Sequence, residues 1–325
     1  QSLLERRRLS PTAAIERLVG VQAQSAQAPY VGLWTRTTGF RREALERLLV
    51  RGDVLKANVI RQTLHLVTPR DYALMRAALS QSNHADQWPD AKLVARTVRA
   101  FAVAAGGPVT TDEAVAHLER EHGLEGAAAR RAWRNGRRRA HVLHHHESAL
   151  WDARADGRFV AVDEPEPQDP VEARAELLRR YLAAFGPSSR KDIDTWSMLR
   201  MPQIVPALER LELRRFRDEH GRELVDVPRG VLPDADTPAP VRFLPKWDNV
   251  LLAHADRSRV LPEPYRKRVI RMNGDVAQTF LVDGFVAGTW RVEDGRVVAE
   301  PFARLSPTAK RELADEAGRL EAFLA

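Results

Sequence analysis

The chain has 325 residues, 44% of them hydrophobic and 29% charged, with a formal net charge of +7. That length suffices for about two to three domains with a sizeable total core, and no stretch approaches the roughly 18–20 apolar residues of a membrane-spanning helix. Cysteine is absent, which excludes disulfides, thiolate zinc sites, iron–sulfur clusters and a cysteine nucleophile.

No signal-peptide pattern is visible, so a cytoplasmic location without membrane attachment is expected. Lysine occurs at six positions, and arginine supplies 45 of the 51 basic residues. The basic excess favours a polyanionic partner, and the planar guanidinium suits phosphate and guanine edges. A GC-rich genome, which favours Arg and Ala codons, explains the arginine bias equally well.

Ser10-Pro11 opens the first helix, with serine as N-cap and proline in the first turn. Ile15, Leu18 and Val19 form its apolar stripe. Gly20-Val21-Gln22-Ala23-Gln24 then sets two amides two positions apart. On a helix such side chains point about 200° apart, whereas on extended backbone they share a face. One site served by both amides therefore requires the chain to leave helical geometry here, and Gly20 is the expected break. Helices are expected over 26–36 and 41–51, then strands over 54–59 and 62–67, then a helix from Thr68-Pro69 to Leu79. Alternation places Arg61, Thr63 and His65 on one strand face. Three helices and a two-stranded wing make the winged helix-turn-helix pattern of nucleic-acid-binding proteins.

The pattern recurs. Helices are expected over 92–104, from Thr110 or Thr111 onward, and over 126–138, with a hairpin within 142–162. A third set covers 171–184, the helix opened by 186–192, 202–211, and a hairpin turning at His220-Gly221. The parallel openings Gly107-Pro108-Val109-Thr110-Thr111-Asp112 and Gly186-Pro187-Ser188-Ser189-Arg190-Lys191-Asp192 support an internal repeat. Pro-rich linkers at 164–170 and 233–240 separate the parts. Alternating residues and glycines over 280–292 predict a strand meander, and 306–324 a closing amphipathic helix. The expected fold is α+β, mainly α. Three tandem winged helices (1–83, 84–164, 171–230) precede a small β-rich segment with its closing helix (241–325).

Three segments, Leu18-Val19-Gly20-Val21-Gln22-Ala23-Gln24, Arg61-Gln62-Thr63-Leu64-His65-Leu66-Val67 and Leu244-Pro245-Lys246-Trp247-Asp248-Asn249-Val250-Leu251-Leu252-Ala253-His254-Ala255-Asp256-Arg257, occur together and in order. In this the chain resembles the bacterial winged-helix DNA glycosylases of the AlkZ type, members of which include a self-resistance enzyme against azinomycin B. The resemblance implies removal of N7-alkylated purines and unhooking of interstrand crosslinks. It also implies that Gln22 and Gln24 form the catalytic Gln-aliphatic-Gln motif. One branch of that family carries Asp in the second place, and Gln24 points instead to the crosslink-resistance branch.

Glutamine is neither acid nor base at neutral pH. Alkylation at guanine N7 removes the difficulty, because the cationic base departs as a neutral purine without being protonated. What remains is positioning and electrostatics. A crosslinked guanine is tethered to the opposite strand, so full extrusion into a pocket is hindered and no deep aromatic base pocket is expected. The tryptophans at 34, 88, 133, 151, 196, 247 and 290 are scattered and read as core.

Candidate DNA contacts are Arg36, Arg61, Thr63 and His65 in the first unit, Arg137, Arg138 and His144 in the second, and Arg190, Lys191, Arg214 and Arg215 in the third, with Arg217 beside them. His144-His145-His146 invites a metal reading, but Glu147 is the one carboxylate at a suitable spacing, so a DNA-facing hairpin is expected and no metal. Asp248, His254 and Asp256 suggest a hydrolase constellation, but beside Trp247 and Arg257 a hydrogen-bonded structural network is the expectation. No P-loop or dinucleotide glycine fingerprint is present, and no cofactor is expected. The partner is duplex DNA bearing N7-alkylpurines or crosslinks, bound by a monomer. The rival is a tandem winged-helix transcription regulator without chemistry.

Overall fold

The computed structural model describes residues 1–79, 90–153 and 157–325. The expected boundary at 83/84 and Trp88 lie outside them. In the first unit α1 (Pro11–Arg17) starts where the Ser10 hydroxyl accepts from the Ala13 amide. Val19 (φ 55°) and Gly20 (φ 86°) turn the chain out of the helix. A Cβ on Gly20 would sit 3.1 Å from Val67 Cγ1, so close packing as well as the positive φ favours glycine there. β1 (Val21–Gln22), α2 (Ala28–Arg36), α3 (Arg42–Arg51), β2 (Leu55–Asn58), β3 (Leu64–Val67) and α4 (Pro69–Leu79) follow.

The second unit holds α5 (Ala91–Ala104), β4 (Val109–Thr110), α6 (Thr111–His122), α7 (Gly126–Arg139), β5 (Val142–His144) and β6 (Arg158–Ala161). The third holds α8 (Pro170–Phe185), α9 (Arg190–Ser197), α10 (Met201–Glu209), β7 (Arg214–Arg217) and β8 (Glu223–Asp226). The two openings that look alike in sequence are alike in structure. Thr110 with Glu113 and Ser189 with Asp192 each form a reciprocal capping box at the start of a helix. The last part contains β9 (Arg242–Leu244), α11 (Asn249–Leu252), α12 (Arg266–Val269), β10 (Thr279–Val282), β11 (Phe285–Glu293), β12 (Arg296–Pro301) and α13 (Pro307–Leu324). The chain is α+β, with helices outweighing strands.

One pairing was not expected. The first two hairpins do not stand apart but join in one six-stranded sheet, ordered β1-β3-β2-β5-β6-β4, through the antiparallel match of Lys56 with His144. Each hairpin thereby closes an exposed edge of the other. The third hairpin, β7–β8, forms its own two-stranded sheet. The second expected strand also begins late. Ile60–Gln62 is a 3-10 turn with Arg61 and Gln62 at positive φ, so Arg61 and Thr63 do not share a strand face with His65.

Packing brings distant parts of the chain together. α4 lies on α8, where Tyr72 and Met75 share a core with Leu177, Leu178 and Tyr181. The four-stranded sheet β12-β11-β10-β9 packs onto α2, with Val31 among Phe243, Phe280 and Trp290. From α13, Phe323 meets Trp34, Phe40 and Trp151, and its carbonyl accepts from Arg42. This docking holds the segment after β9 against the first unit. Of the described tryptophans, 133, 151, 196 and 290 are buried, and 34 and 247 are half-buried.

Candidate active site

Gln22 ends β1 opposite His65 on β3. The Ala23 amide donates to the Leu64 carbonyl at 2.8 Å, so the ladder continues one residue beyond the strand. The two glutamines are unequal. Gln22 is 3% exposed, and Gln24, past the last ladder bond, is exposed. Gln22 lines a cavity of about 10 Å³ with Leu18, Val21, Arg36 and all five residues of the segment Pro245-Lys246-Trp247-Asp248-Asn249.

That segment grips the motif from one side. Asn249 Nδ2 donates to the carbonyls of Leu18 (3.2 Å) and Gly20 (2.6 Å), the backbone that turns α1 into β1. Asp248 caps α11 by accepting from the Val250 amide at 3.0 Å. It also receives a bidentate ion pair from Arg36, at 2.9 and 2.7 Å, with both side chains buried. Arg36 is therefore not a DNA contact; it is locked inside by Asp248. Lys246 is partly exposed, with Nζ 3.3 Å from Asp275 and 5.2 Å above the Trp247 ring. The indole Nε1 donates to Gly274. Gly274 and Asp275 belong to a tight turn closed by the Ile270–Val276 bridge, with Met272 fully exposed on it. Lys246 and Asn249 went unrecognised as site residues in the sequence. Their one signal was membership of the third segment that carries the resemblance.

A family model described as "DNA glycosylase AlkZ-like" matches residues 15–323. The chain belongs to the AlkZ-like DNA glycosylases. A curated relative, the interstrand DNA cross-link repair glycosylase of Streptomyces sahachiroi, is 25% identical over 337 residues, covering 93% of this chain and 87% of its own. The solved structure of the Streptomyces sahachiroi DNA glycosylase AlkZ matches with a TM-score of 0.80 at 22% identity, covering 99% of this chain and 94% of that one, a likeness of fold. This glycosylase thus hydrolyses N-glycosidic bonds in DNA. Among its described residues no helix is long and apolar enough to cross a membrane.

Several expected DNA contacts of this glycosylase turn inward. His65 is 1% exposed, and burial, reinforced by nearby Arg61, pushes its pKa down to about 3. Its Nδ1 faces the Thr63 carbonyl at 3.0 Å, which places the proton of the neutral ring on Nδ1. Thr63 donates its hydroxyl to the Ile60 carbonyl. Arg61 reaches the Trp196 carbonyl at 3.1 Å and ties the first unit to the third, with burial lowering its pKa to about 10.

The second unit is corrected likewise. Arg137 is buried, donates to Asn58 Oδ1 at 3.2 Å, lies 3.3 Å from His144 Nε2 and stacks over Phe159. Burial, then Arg138 beside it, lowers its pKa to about 9. Burial, then Arg137, holds the His144 imidazole far below its usual range. Arg138 donates to Gln62 Oε1 at 2.9 Å. These three groups hold the first two units together because their hairpins pair edge to edge.

Arg190, Lys191, Arg214 and Arg215 are exposed on the third unit. Arg190 and Arg215 lie near Glu223, Lys191 bonds Asp194 at 2.8 Å, and Arg214 lies over Phe216. His254 Nε2 faces the Phe185 carbonyl at 2.9 Å, and Asp256 accepts from Ser258 and Arg222. With Asp248 on Arg36, each member of that trio has structural partners of its own. His145, His146 and Glu147 place ligand atoms within 4.8 Å of one another, and Arg158 lies 2.9 Å from the Glu147 carboxylate.

Proposed function

We propose that this glycosylase excises N7-alkylated guanine from duplex DNA, unhooks interstrand crosslinks, in keeping with the cross-link repair for which the Streptomyces sahachiroi relative is named, and serves in self-resistance to a DNA-alkylating natural product. The observation that carries the proposal is convergence. Gln22 pairs across the sheet with His65 and shares its cavity with Lys246 and Asn249, so all three segments behind the resemblance meet at one place.

The chemistry of the niche favours a leaving group that is already cationic. Among the described residues the one carboxylate on the cavity, Asp248, is engaged by Arg36, and His65 is buried and neutral. Neither is free to take a proton from water. In N7-alkylguanine the C1′–N9 bond breaks with its electron pair moving onto the purine, which cancels the positive charge. Water adds its oxygen to the oxocarbenium carbon, and the proton of that strongly acidic adduct passes to solvent. Gln22 and Gln24 orient the water and the sugar through amide dipoles.

The three helical units read as tandem winged helices over 1–83, 84–164 and 171–230, followed by 241–325, in a monomeric protein. Exposed Arg190, Lys191, Arg214 and Arg215 supply phosphate contacts. The family match disfavours the regulator reading. The test is a duplex carrying one N7-guanine crosslink, resolved on a denaturing gel after incubation with enzyme. Separation of the strands, leaving alkali-labile abasic sites, is expected. Intact crosslinks together with intact 7-methylguanine would refute the reading.

A further inference from the structure

The cavity behind Gln22 has two unusual walls. Gln22 Oε1 is sealed from solvent with no partner among the described residues, and so is Arg36 Nε. Both residues are 3% exposed, and both line the cavity. The other guanidinium nitrogens are committed, Nη1 to Gly32 and Asp248 and Nη2 to Asp248. One donor and one acceptor are thus left over, buried, on two residues that line a space of about 10 Å³, which is the room of a single water molecule. Buried polar groups of this kind are normally paired, by protein or by ordered water.

We propose that one structural water bridges Arg36 Nε–H and Gln22 Oε1, and that Arg36 is thereby a positioning residue for the excision reaction. The water accepts from the cationic guanidinium through its oxygen. Its hydrogens then point away from Arg36 and require an acceptor, which the amide oxygen of Gln22 supplies and its NH2 cannot. The Gln22 amide is fixed with its oxygen inward and its NH2 toward the DNA side. Asp248 holds the guanidinium flat against the cavity, and Asn249 holds the turn at Gly20, so the alignment is set by side chains from both ends of the chain.

This deepens the reading of the two glutamines by dividing their labour. Gln22 presents a donor, suited to a phosphate or sugar oxygen at the lesion. Exposed Gln24 is left to offer the amide oxygen that orients the attacking water and faces the cationic sugar. The bridging water lies behind the motif and takes no part in the displacement.

The test uses the full chain with Arg36→Lys, which keeps the charge opposite Asp248 but has no Nε–H. Single-turnover release of 7-methylguanine is expected to slow about tenfold or more, with duplex Kd close to the parent's; loss of the bidentate bond to Asp248 lowers Tm, so the rates are compared at a temperature where both proteins are folded. In a Gln22→Ala background the same substitution should slow release no further, since the group it positions is gone; a merely structural role would slow both backgrounds alike. An unchanged rate in folded Arg36→Lys, or equal losses in both backgrounds, overturns the proposal. If Arg36→Lys does not fold, a crystal structure of the parent resolving ordered water decides. A peak within hydrogen-bond reach of Arg36 Nε and Gln22 supports it, and a dry cavity overturns it. Full activity of Gln22→Ala itself would instead defeat the catalytic reading on which this inference rests.

Discussion

The second and third hairpins look alike in sequence and behave in opposite ways. Both follow a helix, both carry clustered basic residues, and both read as wings that touch DNA. Beside the paired edge of β5 the basic groups are swallowed: Arg137, from the last turn of α7, is buried on Asn58 and Phe159, and His144 on β5 lies beside it, while Arg158 on β6 stays exposed. In β7–β8 Arg214, Arg215 and Arg217 remain exposed. The difference is the fate of a strand edge. β5 pairs with β2, whereas β7–β8 has only itself and a bridge from Ser188 to Val225. Charge in a hairpin therefore says little about DNA until the edge pairing is known.

Acid should separate the two regions most strongly. His65 and His144 are neutral in the native sheet and take a proton near pH 6.5 once unfolded, so the unfolded chain binds more protons below that pH. Stability should be flat above pH 7 as far as these groups are concerned. It should fall as pH drops from 6.5, through about 3 for His65, at up to about 1.4 kcal/mol per pH unit for each histidine. Hydrogen exchange measured at falling pH should open the six-stranded sheet well before β7–β8. Simultaneous opening of both would break the contrast.

Next in size is Arg137→Ala. It removes a buried packing group and leaves Asn58 Oδ1 without its donor, a cost of about 2–3 kcal/mol in denaturant titration. A change under about 0.5 kcal/mol with a large loss of DNA affinity would restore the original DNA-contact role. The smallest stability effect belongs to Arg214→Ala with Arg215→Ala, expected within about 0.5 kcal/mol because both side chains are exposed. Its signature is in binding instead. The slope of log K against log salt should become shallower by up to about 2, one phosphate contact per arginine. An unchanged slope would remove this hairpin from the interface.

The helices and most strands were legible because their signals are local. Ser10, Thr110 and Ser189 cap the helices they open, and turn residues mark the hairpins. The break at Gly20 followed from requiring two amides on one face. The union of β2 with β5 was not legible, since nothing near Lys56 or His144 encodes which edge will meet them. Nor was the strand shortened at Leu64, where positive φ at Arg61 and Gln62 overrides the alternation of the sequence. The site itself is assembled from residues more than 200 positions apart, such as Asn249 on Gly20. Periodicity within one element cannot see that contact. The joint presence of the three segments hinted at it only once a family resemblance was in hand.

The catalytic role of the two amides is tested most directly by single-turnover release of 7-methylguanine from duplex DNA by the Gln22→Ala, Gln24→Ala protein, checked for parental Tm and DNA affinity. Loss of positioned dipoles predicts a fall of at least about 100-fold in the rate of base release with binding retained. Release at the parental rate would contradict the account, because the bond would then be cleaved without the groups said to steady the water and the sugar.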